Sequence, residues 1–387
     1  MNPYIAKRLS KFLGNSPIGA LNARGKAPMT DLIDLGVGDT DFVTDRRIIE
    51  GAFRDLMEKG GTQYGSSRGE TELIDAVCDS YREDHGISLE RENVLITTSS
   101  CMGMSLCLMG VLNPRDEVLL IAPYFLAYGI QVELAGGVPV EVPTYEEDGF
   151  CIREEALRAA ITDKTRAIII NNPCNPTGAF YDRKTLETVA AIAEEFDLIV
   201  LADEIYTYYI YEESYTPFMT LPGMAKRTLT LNSFSKNFIM TGWRIGFIVA
   251  DPEIINAIAF INDFMVYAPP RPSQRAAIHA LQLRHTIAAE YVSVYKERLL
   301  YAAECFREVP YITVPEPKGT FYLFPNIKKT GLTSKAFSDI VLEKAHVKVA
   351  PGSDFGAAGE GYFRIACACV SKEKIAEAAE RMKHITF

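Results

Sequence analysis

Between residues 44 and 250 the chain alternates between helical periodicity and short β-branched apolar runs. The runs fall at 94–97, 118–121, 138–142, 167–171, 198–202, 228–232 and 245–250. Several are apolar at consecutive rather than alternate positions, as strands covered on both faces are, and helical periodicity over 183–196 separates two of them. This order predicts an α/β architecture with a mostly parallel seven-stranded sheet sandwiched by helices. After Ala250 the pattern turns to long helical stretches, 253–266 and 273–306, interrupted at Ala268-Pro269-Pro270. The remainder reads as mixed strands (321–324, 347–350, 362–366) and helices, a smaller α+β domain. The arm before Asp39 is too short to fold alone and is expected to pack on that domain. The expected division is an arm over 1–43, a large domain over 44–285 and a small domain over 286–387.

A length of 387 residues suits two or three domains. With 48% hydrophobic and 23% charged residues, the composition excludes a disordered, collagen-like or disulfide-stapled chain. Forty Lys and Arg against fifty Asp and Glu leave a net charge of −10, the wrong sign for gripping nucleic acid. No apolar run has the length of a signal peptide or a membrane span, so a soluble, cytoplasmic protein without a membrane partner is expected. The 8 Cys are scattered, with Cys367 and Cys369 the only close pair, which suits reduced, buried thiols. Together with 5 dispersed His they predict no metal site.

Four segments carry chemistry. In SFSKNFIMTGWRIGF, Ser233, Ser235, Lys236 and Arg244 follow a strand. An amine among hydroxyls, with a guanidinium eight residues on, suits an imine-forming lysine beside an anion clamp, or a solvated loop. LIVLADEIYTYYIY is an apolar run ending in Asp203, Glu204 and Tyr206. An acid at the carboxyl end of a parallel strand can face a bound heterocycle, hold a metal in a phosphate-processing enzyme, or cap a helix. RAIIINNPCNPTGAF sets two Asn-Pro dipeptides in a tight turn and aims the Asn175 amide, a donor for a phenolate-like oxygen. In VLITTSSCMGMSLCLMGVL a strand runs through Ser99-Ser100-Cys101 into a helix, an anion seat or an ordinary cap. No Walker-type loop occurs.

These segments in this order, with Tyr64-Gly65 before them and Tyr362-Phe363-Arg364-Ile365 after, resemble the class I/II pyridoxal-phosphate aminotransferases from about Val37 to Ala366. The resemblance implies pyridoxal 5′-phosphate as cofactor and amino acids and 2-oxo acids as substrates. It gives Lys236 the imine with the cofactor aldehyde and the proton shuttle, and Asp203 the protonated ring nitrogen. Asn175 and Tyr206 match the pair that bonds the ring hydroxyl oxygen and lowers the imine pKa. Ser233, Arg244, Ser100 and Cys101 match the phosphate cup, and Phe125 the ring stacked on the cofactor. Tyr64 matches a tyrosine that reaches the neighbouring subunit's phosphate, which implies a homodimer with shared sites. Arg364 and the Gly38 backbone match the clamp on the substrate α-carboxylate. A metal-phosphate enzyme explains Asp203 but leaves Lys236 and Asn175 idle.

Specificity departs from the aspartate pattern. Relatives that prefer aspartate bind its distal carboxylate with an Arg before the motif at 268–270, or with a Lys at the position of Cys101. Here the first position falls near Asp263 and the second is a thiol. A carboxylate without its cation loses a factor of roughly 10² or more in discrimination. Ile18, Tyr124, Tyr267 and Tyr322 are expected around the site, favouring a neutral, apolar or aromatic amino acid, or a basic one if Asp263 lines the pocket. A carbon–sulfur β-lyase on the same fold is the alternative activity. A cofactor-bearing regulator is disfavoured by the charge and by the lack of room before Val37 for a DNA-binding domain.

Overall fold

A computed structural model describes residues 4–9, 12, 30–211 and 214–387. In chain order the strands are β1 (Ile33–Asp34), β2 (Val94–Thr97), β3 (Glu117–Ala122), β4 (Val138–Pro143), β5 (Thr165–Asn171), β6 (Ile199–Asp203), β7 (Thr228–Ser233), β8 (Gly246–Val249), β9 (Tyr322–Leu323), β10 (Val347–Lys348), β11 (Ala350–Pro351) and β12 (Phe363–Ala366). Among the described residues, β2 to β8 form one seven-stranded sheet in the order β2-β8-β7-β6-β5-β3-β4. β8 runs antiparallel to both neighbours, and the other pairings are parallel. The predicted α/β sandwich is the fold observed.

The consecutive apolar residues have the predicted cause. Leu119 and Ile121 of β3 join Ile168 and Ile170 of β5 in one core under helix Arg183–Glu195. Val118 and Leu120 join Ala167 and Ile169 in another, under helices Ser100–Val111 and Pro252–Met265. Alternate residues point to opposite faces and both faces are dry, so the strands tolerate no polar stripe.

A separate apolar cluster gathers Ile33 and Leu35 with Leu299, Phe306, Val347, Phe363, Ile365 and Met382. There β1 pairs in parallel with β10, Ile33 opposite Val347, while β12 lies between β11 and β9. The described part of the arm is thus tied to the C-terminal region by a ladder. The helical stretch expected over 273–306 is two helices, Arg271–Gln282 and Arg284–Arg307, that meet at Leu283. The chain reverses character at a single residue there, which hydrophobic periodicity alone does not reveal. The run expected at 347–350 divides between β10 and β11, which serve different sheets.

Gly246 joins three elements at the sheet's carboxyl end: it lies opposite Ser233 in β7 and Thr97 in β2. A Cβ on it would stand 2.8 Å from the Asn232 carbonyl oxygen, 2.8 Å from the Ser100 nitrogen and 3.0 Å from the Ser99 carbonyl carbon. All three are backbone atoms that cannot swing away. Gly246→Ala is expected to cost about 1–3 kcal/mol of unfolding free energy by overpacking, read as a lowered urea midpoint with an unchanged slope.

Candidate active site

The carboxyl ends of the parallel strands open on a cavity of about 410 Å³, where α/β sheets gather ligands. Eleven of the twelve residues expected there line it: Gly38, Ser100, Cys101, Phe125, Asn175, Asp203, Tyr206, Ser233, Lys236, Arg244 and Arg364. Tyr64 does not. Its side chain is 85% exposed, edge-on to Tyr267 at 4.8 Å, beside a second depression bounded by Pro269, Pro270 and Arg271.

Asp203 ends β6 and is buried. Tyr128 donates its phenol proton to Oδ2, while Oδ1 is fully buried with no partner. Burial pushes this carboxyl up to about 6, against the pull of the bonds from Tyr128 and the Ile205 backbone. A lone buried carboxylate oxygen facing a cavity calls for an N–H donor, best a cationic one. A protonated pyridine nitrogen meets that demand, and an amine, an anion seat and an aromatic wall surround the same space, so the residues fit pyridoxal phosphate.

Lys236 follows β7 in the short helix Phe234–Asn237, capped by Ser233, whose Oγ accepts from the Ser235 N–H at 3.1 Å. The lysine Nζ donates to the Gly38 carbonyl at 2.5 Å, and the Tyr209 hydroxyl donates to the lysine carbonyl at 2.9 Å. Burial lowers this amine to about 8; the Asp39 charge works against the shift and the Arg364 and Arg244 charges add to it. The neutral fraction near pH 7 is therefore far larger than that of an ordinary lysine, though still about a tenth. Ile239 closes the turn with φ +55°, a left-handed conformation costly for a β-branched residue, and Thr44 Oγ1 holds its carbonyl at 2.6 Å.

Arg364, on β12, is buried. It donates to Asn175 Oδ1 at 3.0 Å through Nη1 and to the Gly36 carbonyl at 2.7 Å through Nη2. Its Nε is buried without a partner, and the guanidinium lies 4.6 Å from the Tyr322 ring centre and 5.0 Å from that of Phe355. The backbone group that Arg364 meets is Gly36, while the Gly38 carbonyl accepts from Lys236; Gly38 and Arg364 both line the cavity. Asn175 is fixed by its N–H on Asn171 Oδ1 at 2.8 Å, and Asn171 Nδ2 donates to the Asp203 carbonyl at 3.0 Å. Arg244 has φ +53°, is exposed, and bonds the Thr241 carbonyl at 2.7 Å. Helix Ser100–Val111 opens beside it, its cap Ser99 accepting from Met102 N–H at 3.1 Å. The unpaired N–H groups of such a first turn form an anion seat with Arg244.

Of the side chains expected around the substrate, Tyr322 lines the cavity. Tyr124 instead bonds Glu141 at 3.0 Å, Tyr267 and Asp263 are exposed outside the cavity, and Ile18 lies outside the described residues. Tyr128, Gln131, Tyr209 and Asn171 were missed. Tyr128 stands three residues after Phe125 in an apolar helix, and only tertiary packing brings its hydroxyl to Asp203.

The family model described as "Aminotransferase class I and II" matches residues 30–382. The chain is 41% identical over 363 residues to the aspartate aminotransferase of Pyrococcus abyssi, covering 93% of this chain and 92% of that one. It is 41% identical over 359 residues to aromatic-amino-acid aminotransferase 2 of Thermococcus litoralis, covering 92% and 91%. The crystal structure of an aromatic aminotransferase from Pyrococcus horikoshii OT3 superposes with a TM-score of 0.88 at 41% identity, over 92% of this chain and 95% of that one.

Because its folded value lies above that of an unfolded aspartate, Asp203 stabilises the cofactor-free fold at low pH, and that stabilisation is lost as pH rises through about 6. Cofactor-free Asp203→Asn should therefore gain on the parent by about 3 kcal/mol between pH 3.5 and pH 8, an upper figure for a shift of this size. Urea unfolding at several pH values measures the difference.

Proposed function

The chain belongs to the aminotransferase class I and II family, and on that premise we propose that it moves an amino group between a neutral, preferentially aromatic or apolar L-amino acid and a 2-oxo acid. The protein is a pyridoxal-phosphate-dependent enzyme, as this family is. One observation carries the reading of the site: Asp203, whose buried Oδ1 has no partner, and Lys236 line one cavity, with an anion seat and a buried Arg364 around them.

Bound pyridoxal phosphate supplies an aldehyde that condenses with amines and a ring that withdraws electrons. In our reading Asp203 keeps the ring nitrogen protonated, and the bond from Tyr128 keeps Asp203 oriented. Tyr206 and the Asn175 amide N–H hold the ring hydroxyl oxygen; Asn175 Oδ1 is already committed to Arg364. Ser233, Ser100, Cys101 and Arg244 take the phosphate, and Phe125 packs on the ring. Arg364, which lines the cavity, would supply its guanidinium to the substrate carboxylate. Lys236 would hold the cofactor aldehyde and, when free, its Nζ would accept the proton from the substrate Cα, with the Gly38 carbonyl as its resting acceptor.

The specificity follows from the charges available. Among the described residues lining the cavity, the cations are Lys236, Arg244 and Arg364, and each already has a role. Burial raises the Cys101 thiol and keeps it neutral. Met104, Leu126, Ile205 and Tyr322 offer apolar and aromatic contact instead, and Asp263, the acid the sequence offered to a basic substrate, stands outside the cavity, whose carboxylates among the described residues are Asp39 and Asp203. In single-turnover half-reactions, aromatic amino acids are expected to bleach the visible cofactor band at least about 10² times more efficiently than aspartate. Lys236→Ala is expected to bind cofactor and lose turnover. Aspartate as the fastest donor would overturn the specificity.

We also read the protein as a homodimer with shared sites. Phe264 is 79% exposed, its ring 5.1 Å from that of exposed Phe260, and exposed Met265, Tyr267 and Tyr64 continue the apolar face. A face of this kind is suited to a second copy. Phe264→Asp with Phe260→Asp is expected to halve the mass measured by light scattering and to weaken cofactor binding, because Tyr64 then reaches no partner.

A further inference from the structure

We propose that Tyr322 is a positioning residue whose hydroxyl donates a hydrogen bond to Tyr206 and so sets how strongly Tyr206 holds the cofactor's ring hydroxyl oxygen. The inference rests on the site reading above and extends it to a residue that the sequence suggested only as part of an apolar wall.

The geometry singles out this tyrosine. Tyr322 is wholly buried yet lines the cavity. Its hydroxyl lies 3.1 Å from that of Tyr206, with the two rings nearly perpendicular at 84°. Its ring carries the Arg364 guanidinium at 4.6 Å. Its hydroxyl also presses on Gly38, where a Cβ would stand 2.5 Å from it. The Tyr322 N–H is fixed on Thr320 Oγ1 at 3.1 Å, and Thr320 sits at φ +62°, so the backbone leaves the side chain little freedom. One rigid phenol therefore touches the residues assigned to the ring oxygen, to the carboxylate and to the lysine's acceptor.

The direction of the bond follows from proton counting. If Tyr206 gives its only proton to the ring oxygen, its own oxygen can only accept, and the Tyr322 hydroxyl must be the donor. Burial raises both phenols above their ordinary values, so each still carries its proton when the cofactor binds. A donor behind a donor polarises the first and strengthens its bond to a negative oxygen. Removing the Tyr322 proton thus weakens the hold on the ring oxygen, makes that oxygen more basic, and raises the pH at which the Lys236–cofactor linkage loses its proton.

The experiment is a pH titration of the visible band of the holoenzyme. Tyr322→Phe keeps the ring under Arg364 and removes the hydroxyl. The midpoint is expected to rise by about 0.4–1 pH unit, the size of one net hydrogen bond. Tyr206→Phe is expected to shift it in the same direction, and Tyr322→Phe added to that background should give no further rise. A midpoint at the parent value, or an equal further rise in the Tyr206→Phe background, would overturn the proposal. If Tyr322→Phe does not fold, 3-fluorotyrosine at position 322, a stronger donor of the same shape, is expected to lower the midpoint; an unchanged or raised midpoint overturns the proposal as well. A parent enzyme with no visible band on cofactor addition would instead refute the cofactor reading itself, so the two failures are distinct.

Discussion

A carboxylate sealed inside a protein with one oxygen unpaired is a demand for a donor, and the rest of the site is arranged around that demand at Asp203. The sheet places it: β6 ends at this residue, β5 ends level with it at Asn171, and β7 runs two residues further to Ser233. Tyr128 satisfies one oxygen and leaves the other facing the cavity. Asn171 then ties the Asp203 carbonyl to the Asn175 backbone, so the acid and the amide two strands' ends apart are held at a fixed separation. Any looseness in that link would turn a directed charge into a solvated one.

The second half of the site comes from residues distant in sequence. Arg364 arrives on β12, and the carbonyls that receive Arg364 and Lys236 belong to Gly36 and Gly38, next to β1. β1 is held by β10, and the Cys369 thiol adds weak bonds to the Asp34 and Val37 carbonyls at 3.6 and 3.5 Å. The N-terminal segment is thus a wall of the cavity, carried by the C-terminal part of the chain. Its strands are too short to persist alone.

Much of this was legible because strands buried on both faces write themselves as apolar runs, and because Lys236, Asp203 and Asn175 each follow such a run directly. Each of these three residues alone left other readings open, and their occurrence together at strand ends narrowed them. What stayed hidden depends on chain pairs that sequence does not rank. The break at Leu283 interrupts no hydrophobic period, and the division between β10 and β11 falls inside one short run. Tyr128 and Tyr209 gave no sign of a role in the sequence, and Tyr322 was expected at the site only as apolar wall, since only packing decides which buried hydroxyl meets a catalytic partner. That Arg364 donates to the Gly36 carbonyl is a matter of where one carbonyl points, below the grain of any pattern.

β8, the antiparallel strand of the seven-stranded sheet, has a consequence for biosynthesis. β2 finds its place in the sheet only through β8, with Thr97 opposite Gly246, so the floor of the anion seat is joined from segments about 150 residues apart. At 5–20 residues per second a ribosome needs about 8–30 s to supply the missing strand. During that interval helix Ser100–Val111 exists beside an open sheet edge, with no Arg244 near its first turn and nothing to which a phosphate can anchor. The anion seat is therefore completed only once the chain through β8 has been made, long after its own helix.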